Sequence, residues 1–387
     1  MIKKIFFGIF GLVTGAVLGY LLILYRGSEH SIQVTRTQPA TISVSATPKV
    51  IGFLPYWLTS KAQEDYSDYI TNLTIFGLTI DSDGSIKKLT KPTEGEPGWV
   101  ALKNGRFDDS ITTAKAKGLE LSLLFFASNE EDIGQLLSQP KIHAQTLADQ
   151  AAPIMKDYGF TDFNLDIESI PEASDEARLR FTAFTTELKK QLAANGINSL
   201  TVEVTGTDFV KSKLIDVVEV SKIADYLVIM GYDYHYPGSY VTGPVAPLYG
   251  GGTESEYDVD TAVKQAMRIM PPGKIILGIP LYGYEWESLR NFPRAAVIPG
   301  GGVTASTDRV KELLVTCTTC YLGKDSIANE AFIVQTVGSI YHQIFFPDST
   351  STSGKIDYAK ENNLGGLALW ALGYEDSSVL EPLVGYK

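Results

Sequence analysis

Positive charge and cysteine are the two things this sequence is short of. It sets 33 Lys and Arg against 45 Asp and Glu, a formal net charge of −12. That balance argues against nucleic acid, because gripping a phosphate backbone needs a basic patch. It argues equally against a polyanionic substrate, and a neutral polymer or small molecule suits it better. The cysteines number two, Cys317 and Cys320 in CTTC. A structural zinc site takes four ligands, and neither a second Cys pair nor a His cluster is nearby, so no metal is expected. The C-x-x-C redox motif belongs to the first turn of a thioredoxin-like βαβ unit, which this region does not resemble. A local disulfide outside the cytosol is the expected state. No cofactor is expected.

What the sequence does have is apolar material: 44% of its 387 residues are hydrophobic and 20% charged, ample for a large core. Residues 5–25, IFFGIFGLVTGAVLGYLLILY, carry no charge and are long enough to cross a bilayer as a helix, which takes about 20 residues. Lys3 and Lys4 precede the run and Arg26 follows it. It is longer than the apolar core of a cleavable signal peptide, so residues 1–26 read as an uncleaved anchor. The basic N-terminus predicts a single-pass protein of the cell membrane whose bulk lies on the extracytoplasmic side. Gly11, Gly15 and Gly19 form a smooth stripe through which a weak helix-mediated dimer could form. Residues 27–48, rich in Ser, Thr, Gln and Pro, read as a flexible linker.

From residue 49 onward, β-rich apolar runs alternate with helical patterns. Eight runs qualify as strands: 50–57, 73–80, 119–127, 163–168, 200–206, 226–232, 274–283 and 364–372. Between them, Ala177, Phe181, Phe184, Leu188 and Leu192 recur at helical steps within 174–195, and a second amphipathic stretch, 140–158, ends at Gly159. Strands that read as near-continuous apolar runs, joined through helices, imply parallel pairing. Eight such units predict an α/β fold, a (β/α)8 TIM barrel over residues 49–387. The longest gap, between the seventh and eighth strands, is read as a small inserted subdomain of approximately 284–345 followed by the seventh helix. Residues 81–98 read as a loop or short hairpin.

The fourth strand, in FTDFNLDIESI (160–170), places Asp162, Asn164, Asp166 and Glu168 at every second position. Successive strand side chains point to opposite faces, so these four share one face while Phe163, Leu165 and Ile167 share the other. In a barrel the apolar face suits the helix layer and the polar row must look inward, climbing toward the carboxyl end where barrel enzymes place their sites. Glu168, last in the row and beside a second carboxylate, is suited to act as a general acid: confinement and a like charge raise its pKa.

These residues resemble glycoside hydrolase family 18, the chitinases and related N-acetylglucosaminidases. That family's fourth strand ends in D-G-x-D-x-D-x-E, matched here by Asp166 and Glu168. Its sixth ends in Met-x-Tyr-Asp, matched by Met230, Tyr232 and Asp233, with the following G-P-x-A-P-L present from Gly243 to Leu248. Its eighth ends in Gly-Gly-x-x-x-Trp, matched by GGLALW and Trp370. The C-terminal region looks like the branch of bacterial spore-cortex and cell-wall N-acetylglucosaminidases, and the resemblance covers residues 50–378. It implies hydrolysis of a β-linked N-acetylglucosamine-containing glycan, peptidoglycan or chitin-like, with the substrate's own acetamido oxygen as nucleophile. In that mechanism Glu168 is the acid and then the base, Asp166 orients the acetamido N–H and stabilises the cation, and Tyr232 binds the acetamido oxygen. Asn164, Asp233, Trp370, Met230, Tyr56 and Trp57 make up the substrate-binding set. The sequence departs from the family pattern at Thr161, Asp162, Asn164 and Ile167, and its third strand has LSLLFFAS in place of S-x-G-G. Two rivals are a non-catalytic sugar-binding barrel and a two-carboxylate retaining glycosidase with Glu285 as nucleophile, which needs carboxyls about 5 Å apart.

Overall fold

The computed structural model describes residues 47–387. The 5–25 helix with Gly11, Gly15 and Gly19, and all but the last two residues of the 27–48 linker, lie outside them. Among the described residues no helix is long and apolar enough to cross a membrane.

Among the described residues fifteen strands occur in chain order. They are β1 (Lys49–Pro55), β2 (Asn72–Thr79), β3 (Leu89–Lys91), β4 (Glu94–Gly95) and β5 (Glu120–Ala127). Next come β6 (Asp162–Ile167), β7 (Ser199–Thr205), β8 (Tyr226–Met230), β9 (Ile275–Pro280) and β10 (Gly283–Ser288). The last are β11 (Val297–Ala305), β12 (Tyr321–Asp325), β13 (Glu330–Val337), β14 (Ile340–Phe346) and β15 (Gly366–Trp370). Eight of them close a parallel barrel in the order β1-β15-β9-β8-β7-β6-β5-β2. The short β3–β4 hairpin falls within 81–98.

Helices cover the barrel as the periodicity predicts. Asp175–Ala194 starts where the Ser174 side chain accepts the Ala177 N–H, and it buries Phe181, Phe184, Leu188 and Leu192 completely. Pro140–Tyr158 ends at Gly159, whose left-handed φ of 78° stops the helix. Against these helices lies the outward face of β6: Phe163, Leu165 and Ile167 sit in the main apolar cluster, with Phe163 stacked on Phe125 at 4.1 Å between ring centroids. The inside of the barrel has two walls. Ile51, Phe53, Phe76, Ile276 and Ala368 make one of them apolar. The wall formed by β6 and β7 carries Asp162, Asn164, Asp166, Thr201 and Glu203, all buried.

Several strand ends differ from the sequence reading, and three of these differences bear on the cleft or the inserted sheet. The seventh barrel strand stops at Pro280 instead of reaching 283, because Gly283 opens β10 in a different sheet. A Cβ at Gly283 would lie 2.2 Å from the Phe345 carbonyl oxygen, so only glycine lets β14 approach there. The sixth stops at Met230, leaving Tyr232 and Asp233 on the loop beyond it. Glu168 likewise stands one residue past β6, its N–H donating to the Ala127 carbonyl at 2.9 Å.

Between β9 and β15 the chain builds a five-stranded antiparallel sheet, β11-β10-β14-β13-β12. Its own apolar cluster contains Trp286, Phe332 and Phe345. Cys317 and Cys320, just after the helix Thr307–Thr316, are joined by a disulfide, the local pairing expected from their spacing.

Phe163 is fully buried on the side of β6 away from the acidic row. Truncating Phe163→Ala is therefore expected to lower unfolding free energy by about 3–5 kcal/mol. Denaturant titration checks this, and the folded fraction should keep its activity per molecule within a few-fold.

Candidate active site

The acidic row changes character along its length. At the bottom, Asp162 accepts hydrogen bonds from Ser199 Oγ, from Thr201 Oγ1 at 3.1 Å and from Asn164 Nδ2. Burial nonetheless raises its carboxyl above the usual carboxylate range, with the Ser199, Ser122 and Thr201 hydroxyls and the Lys49 charge pulling the other way. Asn164 is fully buried and leaves its Oδ1 without a partner. Asp166 Oδ1 is also buried and unpartnered. Its carboxyl is pushed well up, by burial first and by the Glu168 charge second. Glu168 opens to the cleft, yet the surrounding walls displace enough water to raise it, and the like charge that adds most is that of Asp233. The repulsion from Asp166 expected from the sequence is present as well, since the two charges act on each other.

Asp233 has a left-handed φ of 61°. Although the residue is exposed, its Oδ1 accepts hydrogen bonds from the buried Tyr282 and Tyr284, the latter at 2.9 Å. Tyr232 stays a neutral phenol, a hydrogen-bond donor: burial and then the charges of Glu203 and Asp166 push its ionisation well up. Trp370 ends β15 and meets Phe76 edge-on at 5.0 Å, Phe53 at 5.8 Å and Trp57 at 6.4 Å between ring centroids. Trp57 in turn packs edge-on against Tyr56 at 4.8 Å.

Asp166, Glu168, Tyr232, Asp233, Met230, Trp370, Tyr56 and Trp57 all line one cleft of about 1250 Å³ at the carboxyl end of the strands. Of the residues expected there, Asn164 alone lies beneath the lining. The cleft has an aromatic floor, a neutral phenol, and a carboxyl whose raised pKa keeps it available as a proton donor. Such a set can bind an uncharged sugar face, protonate a leaving oxygen and take a proton back from water.

Sequence reasoning missed three contributors. Glu203, buried and cleft-lining, alternates with Thr201 and Thr205 on the inward face of β7, the same two-residue period that exposed the row on β6. Tyr282 and Tyr284 hold Asp233 but come from the entrance to the inserted sheet, and no local pattern announces that contact.

Glu285 is not part of this cleft. It sits on β10, where Arg309 grips it with two hydrogen bonds of 3.1 and 3.2 Å and His342 Nδ1 bonds it at 2.6 Å. Burial alone would raise its carboxyl, but these donors hold it below the ordinary range. A carboxylate so engaged has a structural task, which removes it as the nucleophile of a two-carboxylate mechanism.

Fold and cleft together define a barrel glycosidase. Residues 49–375 match the sequence family described as glycosyl hydrolases family 18, and the chain belongs to that family. It is a glycosidase that cleaves N-acetylglucosamine-containing polysaccharide. A cortical fragment-lytic enzyme of Bacillus subtilis is 24% identical over 322 residues, covering 81% of this chain and 67% of the relative. Among solved structures, the spore cortex-lytic enzyme SleL of Bacillus megaterium superposes with a TM-score of 0.69 at 22% identity, covering 88% of this chain and 74% of that one. A group IV chitinase of Ostrinia furnacalis, solved with allosamidin, gives a TM-score of 0.73 at 20% identity, covering 88% and 97%.

Glu285→Gln is expected to leave kcat/KM within a few-fold of wild type while lowering Tm at neutral pH. The stabilisation from a depressed carboxylate is present above its unfolded pKa and is lost as pH falls through the folded value, so the Tm difference should shrink on acidification. Activity assays at neutral pH and thermal melts carried from about pH 7 down to about pH 2, through the ordinary Glu pKa of about 4.3 and below it, test both halves.

Proposed function

We propose that the barrel hydrolyses β-linked N-acetylglucosamine polymers with retention of anomeric configuration through the substrate's own acetamido group, and that peptidoglycan is the natural polymer. The observation that carries this is the convergence of Asp166 and Glu168 with Tyr232 and Trp370 in one cleft, while Glu285, the rival nucleophile, is tied to Arg309 and His342. Family 18 is a known exception to the rule of two catalytic carboxylates. Glu168 donates its proton to the glycosidic oxygen as the C–O bond breaks, and the acetamido oxygen closes on the anomeric carbon. Asp166 accepts the acetamido N–H and stabilises the cationic ring so formed. The Tyr232 phenol donates to the acetamido oxygen, holding it in line for attack. Glu168, now a carboxylate, takes a proton from the water that opens the ring. Trp370 lies beneath the sugar, with Asp233, Met230, Tyr56 and Trp57 around it.

Peptidoglycan is favoured by two independent considerations. Proteins named for acting on spore cortex are similar along most of this chain, and the uncharged run 5–25 fits an anchor that holds the barrel against the wall from outside the cytoplasm.

Glu168→Gln preserves size and removes the proton, so turnover should fall by roughly 10²–10⁴-fold with little change in Tm. Product release from purified peptidoglycan and from chitin oligomers, read by mass spectrometry, gives rate and preference together. A Glu168→Gln variant as active as wild type would sink the mechanism. For the anchor, fractionation of cells producing the full chain should place it in the membrane, and deletion of 5–25 should release it; recovery of the full chain in soluble fractions would overturn that part.

A further inference from the structure

Three acceptor atoms on the inward faces of β6 and β7 have no donor among the described residues: Asn164 Oδ1, Asp166 Oδ1 and Glu203 Oε1 are each buried and unpartnered. The Asn164 amide cannot be turned to help, because its Nδ2 already donates to Asp162. Asp166 and Glu203 lie on the inward faces of adjacent strands, one step beyond the last β6–β7 pairs, Asn164 with Thr201 and Leu165 with Val202, in strands about 4.8 Å apart where they pair. The titratable groups that bear on Glu203 are Asp162 and Asp166 from β6, Glu168 beyond it, and the Tyr232 phenol beyond β8, while on β8 itself its partner is the apolar Val228. The charges that bear on it are Asp166, Asp162 and Glu168, every one acidic. Two adjacent buried carboxylates without a cation do not both ionise. A proton must therefore sit in this cluster.

We infer that Glu203 is the residue that carries it, as a neutral carboxylic acid whose O–H donates to Asp166, and that it is a positioning residue for the glycosidase reaction. Placing the proton on Glu203 gives Asp166 Oδ1 the donor it lacks and leaves the other Asp166 oxygen for the acetamido N–H, so the inference rests on the role of Asp166 proposed above. It also spares Asp166 a second negative charge at its side. Burial and three acidic neighbours, Asp166 foremost, raise the Glu203 carboxyl well above the ordinary range, and burial and Glu168 raise Asp166 as well. The row on β6 has an amide, Asn164, directly below Asp166, and an amide brings no titratable proton. The neighbouring strand supplies one instead.

The test compares Glu203→Gln and Glu203→Ala with Glu168→Gln in the full chain, by kinetics on peptidoglycan oligomers and by melts across pH. A neutral donor is mimicked by an amide, so Glu203→Gln should keep kcat/KM within about threefold of wild type, a difference under about 0.7 kcal/mol. Glu203→Ala removes a hydrogen bond to a charged group and should lower kcat by roughly 10–100-fold with KM little changed. A group raised in the folded state stabilises fully at low pH and loses that stabilisation as pH rises toward its folded pKa. Glutamine has no such loss, so the Tm of Glu203→Gln relative to wild type should increase from pH 4 to pH 8. A folded Glu203→Gln variant slowed tenfold or more, or one whose relative Tm falls as pH rises, overturns the assignment. So does a folded Glu203→Ala variant with wild-type kcat. Should the alanine variant not fold, the glutamine variant's rate and melts decide alone. Full activity in Glu168→Gln would refute the mechanism itself, whereas an inactive Glu168→Gln beside a failed Glu203 pattern would refute this inference only.

Discussion

Carboxyl groups held inside a barrel, where burial opposes their charge, set the terms for the rest of this molecule. An ion moved from water into protein costs several kcal/mol even after relaxation, and the β6–β7 wall gathers Asp162, Asp166 and Glu203 while Glu168 stands just above. The cost is met differently at each level. At the bottom Asp162 is satisfied by Ser199, Thr201 and Asn164. At the top Glu168 faces the cleft and its water. In between, Asp166 and Glu203 reach only the base of the cleft, almost wholly buried and each with an oxygen to which no described residue donates, and a proton is the remaining way to remove charge.

That arrangement holds its shape because the opposite face of β6 is anchored independently. Phe163, Leu165 and Ile167 are buried against the helix layer, so the strand cannot rotate its acids toward solvent without exposing them. Burying such side chains stabilises by about 1.5–3 kcal/mol each, comparable to the desolvation it must offset. The strained acidic wall and the apolar shell are two faces of one strand.

The inserted sheet supports the cleft from one side, its apolar cluster packing against Tyr232 and Trp370. Its entrance supplies Tyr282 and Tyr284 to Asp233, whose charge bears on Glu168. Inside the sheet, Glu285 is fixed by Arg309 and His342, a carboxylate of the same residue type as Glu168 put to a wholly different use. Environment, not residue type, separates the acid from the strut.

The barrel was legible in the residues because each strand and helix writes its own period. Alternation in FTDFNLDIE marks an inward row whatever the neighbours are, and helical steps from Ala177 to Leu192 mark a buried stripe. Adjacent residues carry that information, so eight strands and the Asp166–Glu168 end of the row could be read directly. What crosses the sheet could not. Glu203 shows the same alternation on β7, but its significance comes from the register that sets it beside Asp166, thirty-seven positions away by the pairing of Asn164 with Thr201. The grip of Tyr282 and Tyr284 on Asp233 spans about fifty residues, and the withdrawal of Glu285 into the inserted sheet depends on Arg309 and His342, contributed by later segments. Side-chain period is a local property of the chain, whereas the charge on a carboxyl depends on every group that folding brings to it, and only the closed barrel with its inserted sheet determined those.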